Sequence, residues 1–158
     1  MWGLFLVAVL CLRPTALAFN CYAFATGDRS LTRPGLRSRG HLLRRPLTAV
    51  ELLDAVRADL EPRGWEVPCQ TNYSIQLRGF LGYNRPDGQE WGRWLQPRWT
   101  QFHFIRSDDG GHNWKHKRGF RGPIENTAII LDGHGNRAPI AYGPFIFPEL
   151  AVQACRGL

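Results

Sequence analysis

The chain has 158 residues, with 20 Lys or Arg against 13 Asp or Glu, a formal charge of +7, and 44% hydrophobic residues. That length and apolar content fit one folded domain with a modest core, which excludes a disordered tail and a multidomain assembly. The basic surplus could attract nucleic acid or an acidic surface, but no nucleic-acid motif is present and no aromatic residue interleaves with the arginine cluster. Nucleic acid is therefore not expected as a partner.

Met1 to Leu12 is an apolar run too short to span a bilayer, and Arg13-Pro14 then Ala16-Leu17-Ala18 follow, with small residues where a signal peptidase cuts. Residues 1–18 are expected to be a signal peptide and 19–158 one secreted domain. No other stretch approaches transmembrane length, so no stable membrane insertion is expected. Loss of the peptide removes Arg13 and Cys11; 19 basic less 13 acidic residues leaves +6, and Cys21, Cys69 and Cys155 remain. An exported chain with an odd number of cysteines keeps one thiol free or pairs between molecules.

In Phe19-Asn20-Cys21-Tyr22-Ala23-Phe24-Ala25-Thr26-Gly27, Asn20 suits an N-cap and Gly27 a stop, so a helix of one or two turns should open at Cys21. The helix dipole at that end should lower the thiol pKa. Residues 28–46 lack periodicity and carry Arg29, Arg33, Arg37, Arg39, Arg44 and Arg45, which suits a solvated basic loop. Over 48–60, Thr48 and Glu51 form a capping box, and Leu47 with Leu52 a hydrophobic staple. Leu52, Leu53, Val56 and Leu60 make the apolar stripe, with Asp54, Arg57 and Asp59 on the wet side.

Cys69 follows in a Pro-bounded loop and Cys155 stands near the C-terminus, both ordinary disulfide positions. Cys69–Cys155 with Cys21 free is the expected pairing; the alternative bonds Cys21 to one of them. Residues 73–81 alternate Tyr73, Ile75 and Leu77 inward, a half-buried strand. Asn72-Tyr73-Ser74 before it is a glycosylation sequon. Residues 82–98 read as a long loop whose Trp91 and Trp94 cover core or line a cleft.

Three of the five histidines fall in 101–118, a β-hairpin with its turn at Asp109-Gly110. That register sets Ile105 opposite Trp114 and His103 opposite His116, on one face and about 5 Å apart at Cβ. His112 falls near the turn. A strand over 127–131, a turn over 132–136, and a final strand from Ile140 to Phe147, interrupted at Gly143-Pro144, complete an α+β domain: an antiparallel sheet packed by one main helix and a short Cys-bearing helix.

Asn20-Cys21-Tyr22-Ala23-Phe24-Ala25, His103-Phe104-Ile105-Arg106 with Asp109-Gly110, and Trp114-Lys115-His116-Lys117-Arg118-Gly119 resemble an insecticidal-toxin-like family of secreted proteins that read roughly N-C-Y-A-Y-A and H-F-Y-R-Q-D-x-D-G-x-W-S-H-K-P-G. Asn126-Thr127 and Asp132-Gly133-His134-Gly135-Asn136 are similar to its tail. Arg118 stands where that family has Pro, and the segment around 82–98 is an insertion. More broadly, a Cys opening a helix, a His on a following strand and a polar residue on the next resembles papain-like and NlpC-like cysteine hydrolases. The resemblance implies that architecture, with Cys21 as nucleophile, His103 as base and then acid, and His116 as orienting group. The substrate would be a peptide or amide, with no cofactor or metal. Asp108, Asp109 and Asn126 are substitute third members, and Asn20 or backbone amides would serve the oxyanion. Two other readings stand beside it. One is a secreted toxin-like or surface-binding module with structural cysteines, and the other is a zinc site of Cys21, His103, His116 and His112.

Overall fold

The computed structural model describes residues 19–36, 48–84, 101–118, 120, 122–127, 140–142 and 145–158. The expected signal peptide, Leu47, the arginines from Arg37 to Arg45, Trp91, Trp94, residues 128–131 and the turn over 132–136 lie outside them. Helix α1 spans Cys21–Thr26; the Asn20 side chain accepts the Ala23 amide at 2.9 Å, and Gly27, at φ 71°, ends the helix in the left-handed conformation that glycine adopts without strain.

Helix α2 spans Ala49–Leu60 and opens with both halves of the Thr48–Glu51 capping box, which holds its first turn by about 1 kcal/mol. Leu52, Val56 and Leu60 are wholly buried, each contributing about 1.5–3 kcal/mol. The same face buries Asp59, against expectation. Its Oδ2 accepts the Tyr22 hydroxyl at 3.0 Å and the Gly35 amide at 2.7 Å, so the carboxylate ties α2 to α1 and to the segment after it instead of facing water.

Among the described residues, six strands form one antiparallel sheet, so the fold is mixed α+β and mostly sheet. They are β1 (Ile75–Asn84), β2 (Gln101–Ser107), β3 (Trp114–Lys117), β4 (Ile124–Thr127), β5 (Ile140–Tyr142) and β6 (Phe145–Arg156), in the order β4-β3-β2-β1-β6-β5. β1 starts later than the sequence suggests and leaves Tyr73 exposed; it also continues through Gly82 to Asn84, where a loop is expected. The expected final strand is two: Tyr142 pairs with Phe145, so the chain reverses there, and β6 runs on through Cys155 as the inner neighbour of β1.

Ile75, Leu77, Leu81, Phe104, Val152 and Ala154 meet both helices in the main core, while Phe80, Ile105, Trp114 and Phe147 form a second cluster. Alternation along β2 divides these cores, with Phe104 in the first and Ile105 in the second. Beyond α2, Glu66 exchanges both backbone hydrogen bonds with Cys155, and the Cys69 amide donates to Gln153. This pairing aligns the Cys69–Cys155 disulfide, Cα atoms 5.2 Å apart, and leaves Cys21 as the free cysteine of the described residues. No helix among the described residues is long and apolar enough to cross a membrane.

Candidate functional site

The β2–β3 hairpin pairs Ile105 with His116 and Arg106 with Lys115, two residues away from the expected register. The cause is the turn. Ser107 Oγ bonds Asp109 Oδ1 and accepts the Gly111 amide, Asp109 also takes the Asn113 amide and side chain, and Gly110 and Gly111 both adopt positive φ. These bonds favour a wider loop over a tight reversal at Asp109-Gly110. A shift of two keeps each side chain on its face. His103 and His116 are therefore diagonal, not directly opposite, and still meet: His103 Nε2 lies 2.9 Å from His116 Nδ1, with the rings edge to face.

Both imidazoles are buried, and His103 also packs against the Phe147 ring at 5.2 Å. Burial pushes the pKa of His103 down to about 3, assisted by any charge on His116. Burial likewise lowers His116; Glu125 pulls it back up and Arg118 opposes Glu125. The pair is neutral near pH 7, so one ring donates and the other accepts.

Cys21 reaches the same strand from α1. The Phe104 ring packs on Tyr22 at 4.7 Å, and the Arg106 guanidinium reaches the Ala25 carbonyl at 3.4 Å, so even-numbered residues of β2 lay α1 along the strand. Gly79 stands opposite Phe104 and leaves room for its ring. Burial pushes the Cys21 thiol up to about 11, with the Phe104 amide first among the groups that draw it back and the Lys117 charge among the others. The expected lowering by the helix dipole is thus overridden: six residues give a weak field, and desolvation outweighs it. Lys117, also buried, donates to the Gly122 carbonyl and lies over the Phe19 ring at 5.1 Å, so the residues flanking Cys21 touch both β2 and β3.

The thiol thus meets β2 at Phe104, the residue after His103, while His103 and His116 lie with the second cluster. The two imidazoles face away from α1, on the side of the sheet opposite to Cys21, and among the described residues no hydrogen bond joins them to the thiol. The substitute third members stand elsewhere. Asp108 pairs with Arg106 at 2.7 Å, Asp109 is consumed in the turn, and Asn126 is exposed opposite Lys115. Asn20 donates one amide hydrogen to the Thr32 carbonyl and gives its oxygen to the helix cap, which fixes its orientation. His112 is exposed in the turn. Cys21, His103, His116 and His112 do not gather within metal-ligand reach; among the described residues the one such group is Glu66, Cys69 and Cys155, two of which form the disulfide.

Sequence reasoning misses Glu125. It stands opposite His116 in the β3–β4 ladder, with Oε2 3.6 Å from His116 Nε2 and 2.8 Å from Arg118 Nε. The available signal is strand parity: a hairpin joining 114–117 to 124–127 puts Glu125, not Asn126, on the histidine face. No protein-family model, curated protein or solved structure matches the chain.

Proposed function

We propose that the protein is a secreted cysteine hydrolase, papain-like or NlpC-like in architecture, that cleaves an amide or peptide bond with Cys21 as nucleophile, His103 as general base and then acid, and His116 as the group that orients His103. The observation that carries this reading is the buried 2.9 Å His103–His116 contact on β2, the strand whose other face holds the Cys21 helix. The motif resemblance around Cys21, His103 and His116 supports it, and the Cys69–Cys155 disulfide is compatible with an extracellular protein.

Burial leaves both the thiol and the imidazole neutral at rest, and because Cys21 lies on the α1 face of β2 and His103 on the other, the reading requires α1 to be displaced before the two meet. Once α1 and β2 have shifted so that His103 reaches the thiol, proton transfer accompanies attack: Sγ bonds the carbonyl carbon as His103 takes the thiol proton, then returns it to the departing amine as the C–N bond breaks. Water, deprotonated by the same imidazole, hydrolyses the thioester and restores the thiol. The test is hydrolysis of a panel of chromogenic amide and ester substrates. Activity should fall by at least about a hundred-fold in both Cys21→Ala and His103→Ala and stay unchanged in His112→Ala; equal activity in the parent and His103→Ala contradicts the assignment.

A second reading has its own observation. Cys21 is only 6% exposed and its thiol is held protonated, as suits a packing residue in a toxin-like or surface-binding module. Under that reading the parent hydrolyses nothing in the panel and Cys21→Ala costs only stability.

A further inference from the structure

Four side chains run in line from the core to the surface: His103, His116, Glu125 and Arg118. His103 is fully buried and His116 nearly so, whereas Glu125 and Arg118 stand at the rim, with side chains 36% and 50% exposed. Successive contacts are 2.9 Å from His103 Nε2 to His116 Nδ1, 3.6 Å from His116 Nε2 to Glu125 Oε2, and 2.8 Å from that oxygen to Arg118 Nε. The main chain at Arg118 is anchored, because its amide donates to the Pro123 carbonyl at 3.2 Å.

We infer that Glu125, held by Arg118, is the positioning residue of this site: it selects the tautomer of His116 and, through it, the tautomer of His103. A carboxylate only accepts, so the ring nitrogen facing it carries the proton. His116 is then the Nε2–H tautomer and its Nδ1 is an acceptor. His103 Nε2, 2.9 Å from that Nδ1, must donate. The lone pair of His103 is thereby confined to Nδ1, the ring atom that His116 does not engage. The opposite arrangement would set the His116 Nε2 lone pair against the carboxylate oxygen, two acceptors face to face. A charge at the surface thus decides, one electrostatic contact and one hydrogen bond inward, which atom of a buried imidazole is basic. This positioning role rests on the hydrolase reading only for its consequence in catalysis; the tautomer assignment stands without it.

The test reads imidazole nitrogen chemical shifts by NMR in histidine-labelled protein near neutral pH, assigned with single His→Gln variants. In the parent, His103 and His116 should both show a protonated Nε2 and an unprotonated Nδ1. Glu125→Leu should move the proton of His116 to Nδ1 and that of His103 to Nδ1 with it. Glu125→Gln, which keeps an acceptor oxygen, should retain the parent pattern. A parent His103 protonated on Nδ1 overturns the inference, and so does a Glu125→Leu protein with the parent pattern. The parent spectrum alone decides the case if Glu125→Leu does not fold. Where the substrate panel shows activity, Glu125→Leu should lower it at least about ten-fold with Glu125→Gln restoring it. Parent tautomers as stated together with no hydrolysis would retain the relay and remove the hydrolase reading alone.

Discussion

Substituting Gly79 by Ala tests how the cysteine helix is held to the sheet, because two effects of opposite sign meet at that position. Elsewhere in a strand, Gly→Ala stabilises by about 0.5–1 kcal/mol through the entropy of the unfolded chain. Here a β-carbon would stand 2.5 Å from a Phe104 ring carbon, closer than real β-carbons come, and 3.1 Å from two more, tighter than most real contacts. The ring cannot yield freely, since it is wholly buried and lies 4.7 Å from Tyr22 and 5.7 Å from Phe102. Overpacking of this kind costs about 1–3 kcal/mol against that gain, so the net change is destabilising by up to about 2.5 kcal/mol. For a domain of this size that lowers the melting temperature by a few degrees, at about 2–4 °C per kcal/mol. Thermal unfolding by circular dichroism measures it. Displacement of Phe104 should also loosen α1, so Cys21 in Gly79→Ala should react faster with iodoacetamide than in the parent. Phe104→Leu makes room for the added methyl, so a double-mutant cycle should show a favourable coupling of about 0.5–2 kcal/mol. A Gly79→Ala protein that is more stable than the parent, with Cys21 no more reactive, refutes the packing account.

Acidification should destabilise the fold in a window set by the histidines. A histidine whose folded pKa lies below its unfolded value contributes stability that is present above the unfolded value and is lost as pH falls toward the folded one. For His103 that window runs from about 6.5 down to about 3. Denaturant midpoints across that range should fall from pH 6.5 downward, and His103→Leu should flatten the part above the carboxylate range; an unchanged slope in that variant removes His103 as the cause. Tyr22→Phe removes the buried hydrogen bond to Asp59, whose Oδ1 already has no hydrogen-bond partner among the described residues, and should cost about 1.5–3 kcal/mol in denaturant unfolding. Burial first, and Asp59 second, raise the Tyr22 phenol, so it should not ionise before alkaline unfolding in a spectrophotometric titration. Replacing Cys69 and Cys155 by Ala reopens a loop spanning 86 positions and should lower stability by about 4–5 kcal/mol on the chain-entropy account; a loss below about 1 kcal/mol would contradict that account.

The parts legible in the sequence are those fixed by near neighbours. Thr48 and Glu51 specify the start of α2 because both partners of each bond lie within one turn, and Asn20 and Gly27 bracket α1 in the same way. Asp59 is misjudged because its burial depends on a phenol 37 positions away and an amide 24 positions away, which no helical period reveals. The hairpin register fails by two because Ser107 and Asp109 build a wider turn than the Asp-Gly pair suggests. Since two is the period of a strand, the histidines keep their common face and their contact survives the error. Glu125 escapes notice because its role exists only once β4 is paired with β3.

The most direct test of Cys21 and His103 as one catalytic unit is trapping of an acyl-enzyme. The parent protein, incubated with p-nitrophenyl acetate at neutral pH and quenched in acid, is analysed by intact mass and peptide mapping. A neutral, buried thiol attacks such an ester only if a neighbouring base takes its proton during the attack, so the account predicts an acetyl thioester on Cys21 in the parent and in His112→Ala, and its loss in His103→Ala. An unmodified Cys21 in the parent, or equal acetylation in His103→Ala, contradicts it.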